Sequence, residues 1–154
     1  MKNKTCCFTG HREIPNEEYA LVYKKTREQI MVLIDKGIER FIVGGARGFD
    51  TLAATLLLEI RQNFPHIKII VAVPYRAQAK GFSESDLAVY NEILSLADEL
   101  VVLSEDYYKG CLHVRNRYMV DESAYIISYL RKTSGGSVFT TDYARKKGIE
   151  VIEV

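Results

Sequence analysis

The sequence has no long apolar segment, and its positive and negative charges almost cancel. No apolar run approaches the length of a signal-peptide core or a membrane-spanning helix, so we expect neither feature, no membrane partner and a cytoplasmic location. Lysines and arginines number 21 against 20 aspartates and glutamates, which gives a formal net charge of +1. Because no overall field would recruit nucleic acid or a membrane surface, any anion-binding site must be local.

Cysteine and histidine are also scarce, with three of each. Cys6 and Cys7 are adjacent in an apolar run and no C-x-x-C pair exists, which argues against a disulfide framework or a zinc site and suits a reducing compartment. His11 and His113 have no cysteine or carboxylate cluster at ligand spacing, so we expect no metal site and no other cofactor. Cys111 and His113, two apart on a predicted helix, point in different directions, which argues against a thiolate–imidazole pair.

Three familiar motifs for nucleotide binding and catalysis are absent. No G-x-G-x-x-G follows the first apolar run, so the dinucleotide-binding fingerprint is missing. No G-x-x-x-x-G-K-[ST] occurs, which argues against a P-loop NTPase, and no Ser/His/Asp order of a hydrolase stands out. The chemistry must therefore be sought in other residues.

The length and patterning of the chain predict one α/β domain spanning residues 1–154. Hydrophobic residues make up 47% and charged residues 27%, which is ordinary for a globular domain able to bury a core. Short apolar segments alternate with segments of helical periodicity, and this alternation predicts a Rossmann-like, doubly wound parallel sheet of about six strands with helices on both faces. We expect the strand order 3-2-1-4-5-6.

The predicted elements follow from apolar runs, caps and breakers. The predicted strands cover residues 6–9, 41–43, 67–73, 99–103, 124–129 and 149–154. The predicted helices begin near residues 15, 49, 83, 111 and 140.

A glycine-rich turn joins the second predicted strand to the second predicted helix. Gly44, Gly45 and Gly48 follow the apolar run 41–43, and helical periodicity begins after Gly48. Glycines let a backbone turn sharply and approach a ligand, and a helix N-terminus presents free N–H groups and positive potential. The pattern predicts an anion site of the kind that holds phosphate. The alternative is a strand-to-helix turn that merely needs small residues.

Three further loops are expected on the same edge of the sheet. In a doubly wound sheet, ligands bind outside the carboxyl ends of the strands, near the point where the strand order reverses. The loops at 10–12, 44–48, 104–110 and 134–137 each follow a predicted strand, and the second and fourth are glycine-rich. Two glycine-rich turns on one edge favour a ligand site over tight turns alone.

Side chains near these loops supply candidate ligand contacts. Four arginines are candidate partners for phosphate or carboxylate, because a guanidinium matches both geometries; the alternative for each is a solvated surface residue. They are Arg12, Arg47, Arg115 and Arg117. Asp50, in the first turn of the second predicted helix, would brace the loop or bind a ribose hydroxyl. Tyr75 and Gln78 would contact a base or ribose.

Three separated motifs, in order along nearly the whole chain, resemble the YpsA-like members of the SLOG superfamily. They are Phe8-Thr9-Gly10-His11-Arg12, Gly44-Gly45-Ala46-Arg47-Gly48-Phe49-Asp50, and Arg115-Asn116-Arg117 with Met119. The superfamily also contains DNA-processing protein A, which has a similar glycine-rich turn, and the LONELY GUY / lysine-decarboxylase-like proteins. The resemblance implies a Rossmann-like fold that binds a nucleotide or nucleotide-derived ligand, and a homodimer of the kind that the superfamily often forms.

The resemblance to LONELY GUY enzymes is uneven. Those enzymes hydrolyse the N-glycosidic bond of nucleoside monophosphates, with Arg-x-x-x-Met on a helix followed by Pro-Gly-Gly-x-Gly-Thr-x-x-Glu. Arg115, Met119 and the pair Gly135-Gly136 match, and Thr140 matches the threonine after a shift of one residue. Asp142 stands where the catalytic glutamate is expected, and a side chain one methylene shorter can lose much of the rate.

Three functions follow, of which a sensor-type domain for a small-molecule nucleotide ligand is the first. Its expected ligand-binding residues are Gly10, His11, Arg12, Gly44, Gly45, Ala46, Arg47, Gly48, Asp50, Tyr75, Gln78, Arg115, Asn116, Gly135, Gly136 and Thr140. The alternative is a nucleoside 5′-monophosphate phosphoribohydrolase, in which Arg115 orients the phosphoribosyl group and Asp142 acts at C1′. Single-stranded DNA binding, suggested by the resemblance to DNA-processing protein A, is the third; the near-neutral charge counts against it.

Overall fold

The computed structural model describes residues 1–154 and consists of one six-stranded parallel sheet flanked by five helices. The strands are β1 (Thr5–Gly10), β2 (Arg40–Val43), β3 (Lys68–Val73), β4 (Glu99–Val102), β5 (Tyr125–Tyr129) and β6 (Glu150–Glu153). The helices are α1 (Asn16–Asp35), α2 (Phe49–Arg61), α3 (Glu84–Leu96), α4 (Cys111–Asp121) and α5 (Gly136–Lys146), after a 3-10 turn at Lys2–Lys4. The predicted α/β class is confirmed.

The predicted place of the fourth strand is wrong. The strand order is β4-β3-β2-β1-β5-β6, so that β4 pairs with β3 and β5 pairs with β1. Glu99 and Leu100 of β4 are exposed, whereas β5 is almost entirely buried. A strand with exposed residues suits the edge of the sheet, and a strand buried on both faces suits its centre. The order therefore reverses between β1 and β5.

Helices cover both faces of the sheet and create two cores. Helices α1, α2 and α3 pack on one face, and α4 and α5 pack on the other. Successive strand residues alternate between the two cores, so that Cys6 and Phe8 face the first helix layer and Cys7 faces the second. Cys6, Cys7 and Cys111 are buried and unpaired. None of the helices is both long and apolar enough to cross a membrane.

Helix α5 begins four residues earlier than the sequence predicts. Its first residue is Gly136 and its N-cap is Gly135, which has a φ of 115°. The prediction that this helix begins at Thr140 is wrong. Glycine is a poor helix former, so helix propensity alone places Gly135 and Gly136 in the turn before the helix. In the structure, Gly135 and Gly136 instead form the N-terminus of the helix.

The loops after β1 and β2 are locked together beside the reversal point of the sheet. The backbone N–H of Phe49 donates to the carbonyl oxygen of His11 at 3.1 Å. Gly48 has a φ of 77°, and a Cβ there would overlap the carbonyl group of Arg12 and lie 2.6 Å from the carbonyl oxygen of His11. A Cβ on Gly10 would lie 2.6 Å from the Cβ of Phe49. These glycines therefore let one loop pack on the other.

We expect Gly48→Ala to destabilise the protein by roughly 3 kcal/mol or more, because it combines left-handed backbone strain with a clash against backbone atoms. Gly37→Ala is the matched control, because Gly37 has a φ of 97° and open space around it. It should lose only about 1 kcal/mol from backbone strain. Urea denaturation measures both changes, and equal losses would show that the loop contact is unimportant.

Candidate ligand-binding cleft

A cleft of about 590 Å³ opens at the carboxyl ends of β1, β2 and β5. Its walls are the loops after β1 and β2 and the N-terminal turns of α4 and α5. It is lined by residues 8–13 and 134–137 together with Ala46, Arg47, Asp50, Leu112, His113, Arg115, Asn116 and Lys132. The cleft lies at the point where the strand order reverses, which is the usual ligand position in such sheets.

The N-terminus of α5 forms one wall of the cleft. No side chain caps it, and the first helical N–H with a backbone partner is that of Phe139, which donates to Gly135. The N–H groups of Gly136, Ser137 and Val138 are therefore free, as expected for the first turn of a helix. Free N–H groups and the helix dipole together favour an anion at this wall.

Gly136 is unlike the glycines of the turn after β2. Its φ is not in the left-handed region, and a Cβ there would have no protein atom within 4 Å. Neither backbone conformation nor packing therefore requires glycine at this position. A Cβ on Gly44, in contrast, would lie 2.8 Å from Asp50 Oδ2, and one on Gly45 would lie 3.0 Å from Gln78 Nε2. The absence of a side chain at Gly136 leaves space in the cleft itself.

Arg115 projects from α4 under the cleft and is only 5% exposed. Its Nη1 donates to Gly44 O, to Ala72 O at 3.2 Å and to Gln78 Oε1 at 3.0 Å. Its Nε donates to Asn116 Oδ1 at 2.9 Å. Its Nη2 makes no hydrogen bond within the protein and is not among the fully buried unpaired atoms. Arg115 therefore presents one fixed, unused donor group.

Asp50 lies in the first turn of α2 and is 8% exposed. Its Oδ2 accepts a hydrogen bond from the backbone N–H of Ala46 at 3.3 Å, which braces the glycine-rich loop. Burial raises the pKa of the carboxyl to about 6, although Arg115, the Ala46 N–H and Arg12 all favour the ionised form. The desolvation of this carboxylate thus outweighs the attraction of the surrounding positive groups.

Three exposed cations, Arg12, Arg47 and Lys132, complete the lining. They come from three different loops, those after β1, β2 and β5. With Arg115 beneath them, the lining has four positive groups against the two carboxyl groups of Glu13 and Asp50, in a chain whose net charge is only +1. This is the local field that an anionic ligand requires.

A second cavity of about 230 Å³ adjoins the cleft. Arg12, Ala46, Arg47 and Leu112 line both spaces. Its aromatic residues are Tyr75, Phe82 and Tyr107. The rings of Tyr75 and Tyr107 meet edge to face, with centroids 5.4 Å apart.

His11 lines the cleft but uses its ring nitrogen to hold the protein together. Its Nε2 accepts hydrogen bonds from the backbone N–H groups of Arg131 at 2.8 Å and Lys132 at 3.2 Å. Burial and the charges of Lys132 and Arg131 lower the pKa of the imidazole. The neutral ring therefore ties the loop before α5 to the loop after β1.

Six residues expected at the site line neither the cleft nor the second cavity, namely Gly44, Gly45, Gly48, Thr140, Asp142 and Arg117. Thr140 is 3% exposed, and its hydroxyl donates to Gly136 O at 2.8 Å within α5. Asp142 is exposed on α5 and pairs with Arg145 at 3.5 Å. Arg117 is not part of the lining. Gln78 reaches the second cavity but also holds Arg115.

Several lining residues were missed by the sequence reasoning. Glu13, Lys132, Phe82 and Tyr107 carried no motif of their own. Tyr107 lies in the polar, aromatic loop after β4, which already belonged to the expected edge. Position in that loop was therefore the one available signal.

Comparisons with known proteins agree with the predicted resemblance. The family model YpsA, described as the YspA SLOG family, matches residues 7–150. The chain is 28% identical over 129 residues to the UPF0398 protein BH1768 of Halalkalibacterium halodurans, covering 82% of this chain and 68% of that protein. It is 30% identical over 139 residues to the uncharacterized SPbeta prophage-derived protein YoqJ of Bacillus subtilis, covering 79% of this chain and 81% of that protein.

Solved structures share the fold. DNA processing protein A from Streptococcus pneumoniae matches with a TM-score of 0.70 and 20% identity, over 99% of this chain and 50% of that chain. DNA processing protein A from Helicobacter pylori, whose structure concerns its single-stranded DNA binding mode, matches with a TM-score of 0.71 and 21% identity, over 99% of this chain and 65% of that chain. The chain thus spans half to two thirds of these structural relatives.

We expect Asp50→Asn to stabilise the protein at pH 8 by roughly 2–3 kcal/mol, because it removes a buried charge and keeps the acceptor for Ala46. The pKa of Asp50 in the folded protein lies above its unfolded value, so the ionised carboxylate lowers stability above about pH 6. The advantage of the variant should shrink as the pH falls from about 6 to about 4. Urea denaturation over this range measures it, and a destabilised variant at pH 8 would contradict the argument.

We expect His11→Gln to remove part of the acid sensitivity of the protein. The pKa of His11 is lowered in the folded state, so its stabilising bonds are present above its ordinary value and lost as the pH falls through the folded value. Glutamine offers an acceptor that does not titrate. The stability of the original protein relative to His11→Gln should fall between pH 7.5 and 5, and the contribution of Asp50 cancels in this difference. A constant difference would refute the role assigned to Nε2.

Proposed function

The chain belongs to the YspA SLOG family, and from this membership and the geometry of the cleft we propose that it binds a nucleotide or nucleotide derivative. One observation carries the proposal. The uncapped N-terminus of α5 lines the same cleft as Arg12, Arg47, Lys132 and the buried Arg115. Backbone donors, flexible cations and a fixed guanidinium converge on one space, as the binding of a phosphorylated ligand requires.

The phosphate is assigned to the N-terminal turn of α5. The free N–H groups of residues 136–138 supply directed donors, and Gly136 leaves room for a phosphate to approach them. Lys132, just before this turn, supplies a mobile positive charge. Because this charge lies in a partly enclosed cleft, it is screened less than an isolated surface cation.

The base is assigned to the second cavity. Tyr75, Phe82 and Tyr107 provide apolar ring surface, and the cavity joins the cleft along Arg12 and Arg47. Aromatic rings stack on any nucleobase, because every base presents a π face. A phosphate subsite joined to an aromatic cavity matches the two ends of a nucleotide.

The geometry favours binding over hydrolysis. The phosphoribohydrolase hypothesis needs Asp142 at the sugar, and Asp142 instead pairs with Arg145 outside the cleft. A catalytic carboxylate must come within hydrogen-bond reach of the group on which it acts. We therefore propose a sensor-type domain that holds its ligand, and release of free base from AMP, GMP, CMP or UMP would contradict this.

Single-stranded DNA is a second candidate, favoured by the fold shared with the Helicobacter pylori protein. The same cations would contact a DNA backbone, and such binding weakens steeply with added salt. The formal net charge of +1 gives little general attraction for DNA. Oligonucleotides are therefore included in the test.

Isothermal titration calorimetry with AMP, GMP, CMP, UMP, ADP-ribose, NAD, inorganic phosphate and a thymidine oligonucleotide tests the proposal. We expect saturable binding of at least one nucleotide, weakened about tenfold by Lys132→Met, which corresponds to the loss of roughly 1.4 kcal/mol. Gly136→Ala should weaken binding similarly without loss of stability, because the added methyl group meets no protein atom and lies beside the N–H groups assigned to the phosphate.

Lys146→Met is the matched control, because Lys146 is exposed near the other end of α5. Its affinity should equal that of the original protein. Failure of every nucleotide to bind would overturn the proposal, and binding of the oligonucleotide alone would replace it with DNA binding.

A further inference from the structure

We infer that the cleft selects ribose over deoxyribose, with Asp50 and Arg115 together binding one sugar hydroxyl. The inference rests on the proposed nucleotide binding and specifies the class of ligand. It starts from two buried, oppositely charged side chains that lie side by side without forming an ion pair.

Gly44 lies against both side chains. A Cβ on Gly44 would lie 2.8 Å from Asp50 Oδ2 and 2.9 Å from Arg115 Nη1, so both groups border the same small space. Their hydrogen bonds nevertheless go elsewhere. Asp50 Oδ2 accepts from Ala46 N, and Arg115 Nη1 donates to backbone carbonyls and Gln78. The protein thus holds a carboxylate and a guanidinium next to each other, and each keeps hydrogen-bonding capacity that no protein group satisfies.

Each side chain keeps one polar atom free. Asp50 Oδ1 and Arg115 Nη2 have no hydrogen-bond partner, although the two residues are only 8% and 5% exposed. The fully buried side-chain atoms without partners are Thr26 Oγ1 and Arg40 Nε, so the free atoms of Asp50 and Arg115 are accessible. Both residues line the cleft, which makes them an unused acceptor and an unused donor for its ligand.

A hydroxyl group satisfies this pair better than a phosphate does. A hydroxyl donates one hydrogen bond and accepts others, so it can bond to the carboxylate and the guanidinium at once. A phosphate would be attracted to Arg115 but repelled by Asp50. Because a buried acceptor left without a partner is unfavourable, a ligand that lacks the hydroxyl should bind distinctly more weakly.

The position of the pair fits a sugar. Ala46 lines both the cleft and the aromatic cavity, and its backbone N–H bonds to Asp50. Asp50 therefore lies where the proposed phosphate and base subsites join. The sugar is the part of a nucleotide that connects phosphate to base.

Calorimetric titration of ribose 5-phosphate against 2-deoxyribose 5-phosphate, and of AMP against dAMP, tests the inference at pH 8. We expect each ribose compound to bind at least tenfold more tightly than its deoxy partner. Asp50→Ala, which removes the acceptor, should bring each pair within about threefold. Asp50→Asn keeps the contact to Ala46 and should lower the preference, because a neutral amide is a weaker acceptor than a carboxylate.

Asp142→Asn is the control, because Asp142 is an exposed aspartate outside the cleft, and its preference for ribose should match that of the original protein. Equal affinity for ribose and deoxyribose compounds would overturn the inference and leave nucleotide binding standing. Discrimination among bases without discrimination between sugars would also overturn it. If no compound of either set binds, the proposed function itself fails.

Discussion

The candidate site depends on the hydrogen bonds that the buried guanidinium of Arg115 donates to the ends of two strands. This side chain extends from α4, on one face of the sheet, to the carbonyl groups of Gly44 after β2 and Ala72 in β3, and it meets Gln78 of the following loop. These contacts fix the carboxyl ends of two central strands relative to a helix on the opposite face from α2. A charge this deeply buried is tolerated because Nε and Nη1 both have partners within the protein. The free Nη2 group then becomes a rigid part of the cleft.

The same region shows how glycine serves two different purposes. Gly10 and Gly48 allow the loops after β1 and β2 to pack against each other, and Gly44 leaves room for Asp50 and Arg115. Gly136, which lines the cleft, has no such neighbour, and a Cβ there would meet open space. The glycines of the turn after β2 are therefore explained mainly by close packing around the cleft. Gly136 is the one glycine of the chain that neither packing nor a left-handed φ requires.

Two ionisable groups of the cleft, Asp50 and His11, have pKa values shifted in the direction that disfavours their charged forms. Burial opposes ionisation of Asp50, and burial together with the charges of Lys132 and Arg131 opposes protonation of His11. His11 fixes the loop before α5, so the neutral imidazole supports the wall assigned to phosphate. The carboxylate of Asp50 is unfavourable for folding alone, and a ligand hydroxyl would supply the hydrogen bond that its free oxygen lacks. Such local conflict between stability and charge is expected where a fold keeps a binding site.

The sequence by itself determined the α/β class, the parallel sheet and the edge on which the candidate cleft lies, because alternating apolar periodicities dictate which faces are buried. Of the residues that it singled out, Arg12, Asp50, Arg115 and the pair Gly135-Gly136 line the cleft. It did not determine the edge position of β4, because the residues of a short strand do not indicate which other strand it pairs with. It did not show that Asp142 faces solvent while Lys132 lines the cleft. The direction of each side chain depends on where α5 begins and on the path of the loop before it. Tertiary structure alone decided that His11 and Gln78 hold the site together, because their partners lie far away in the chain.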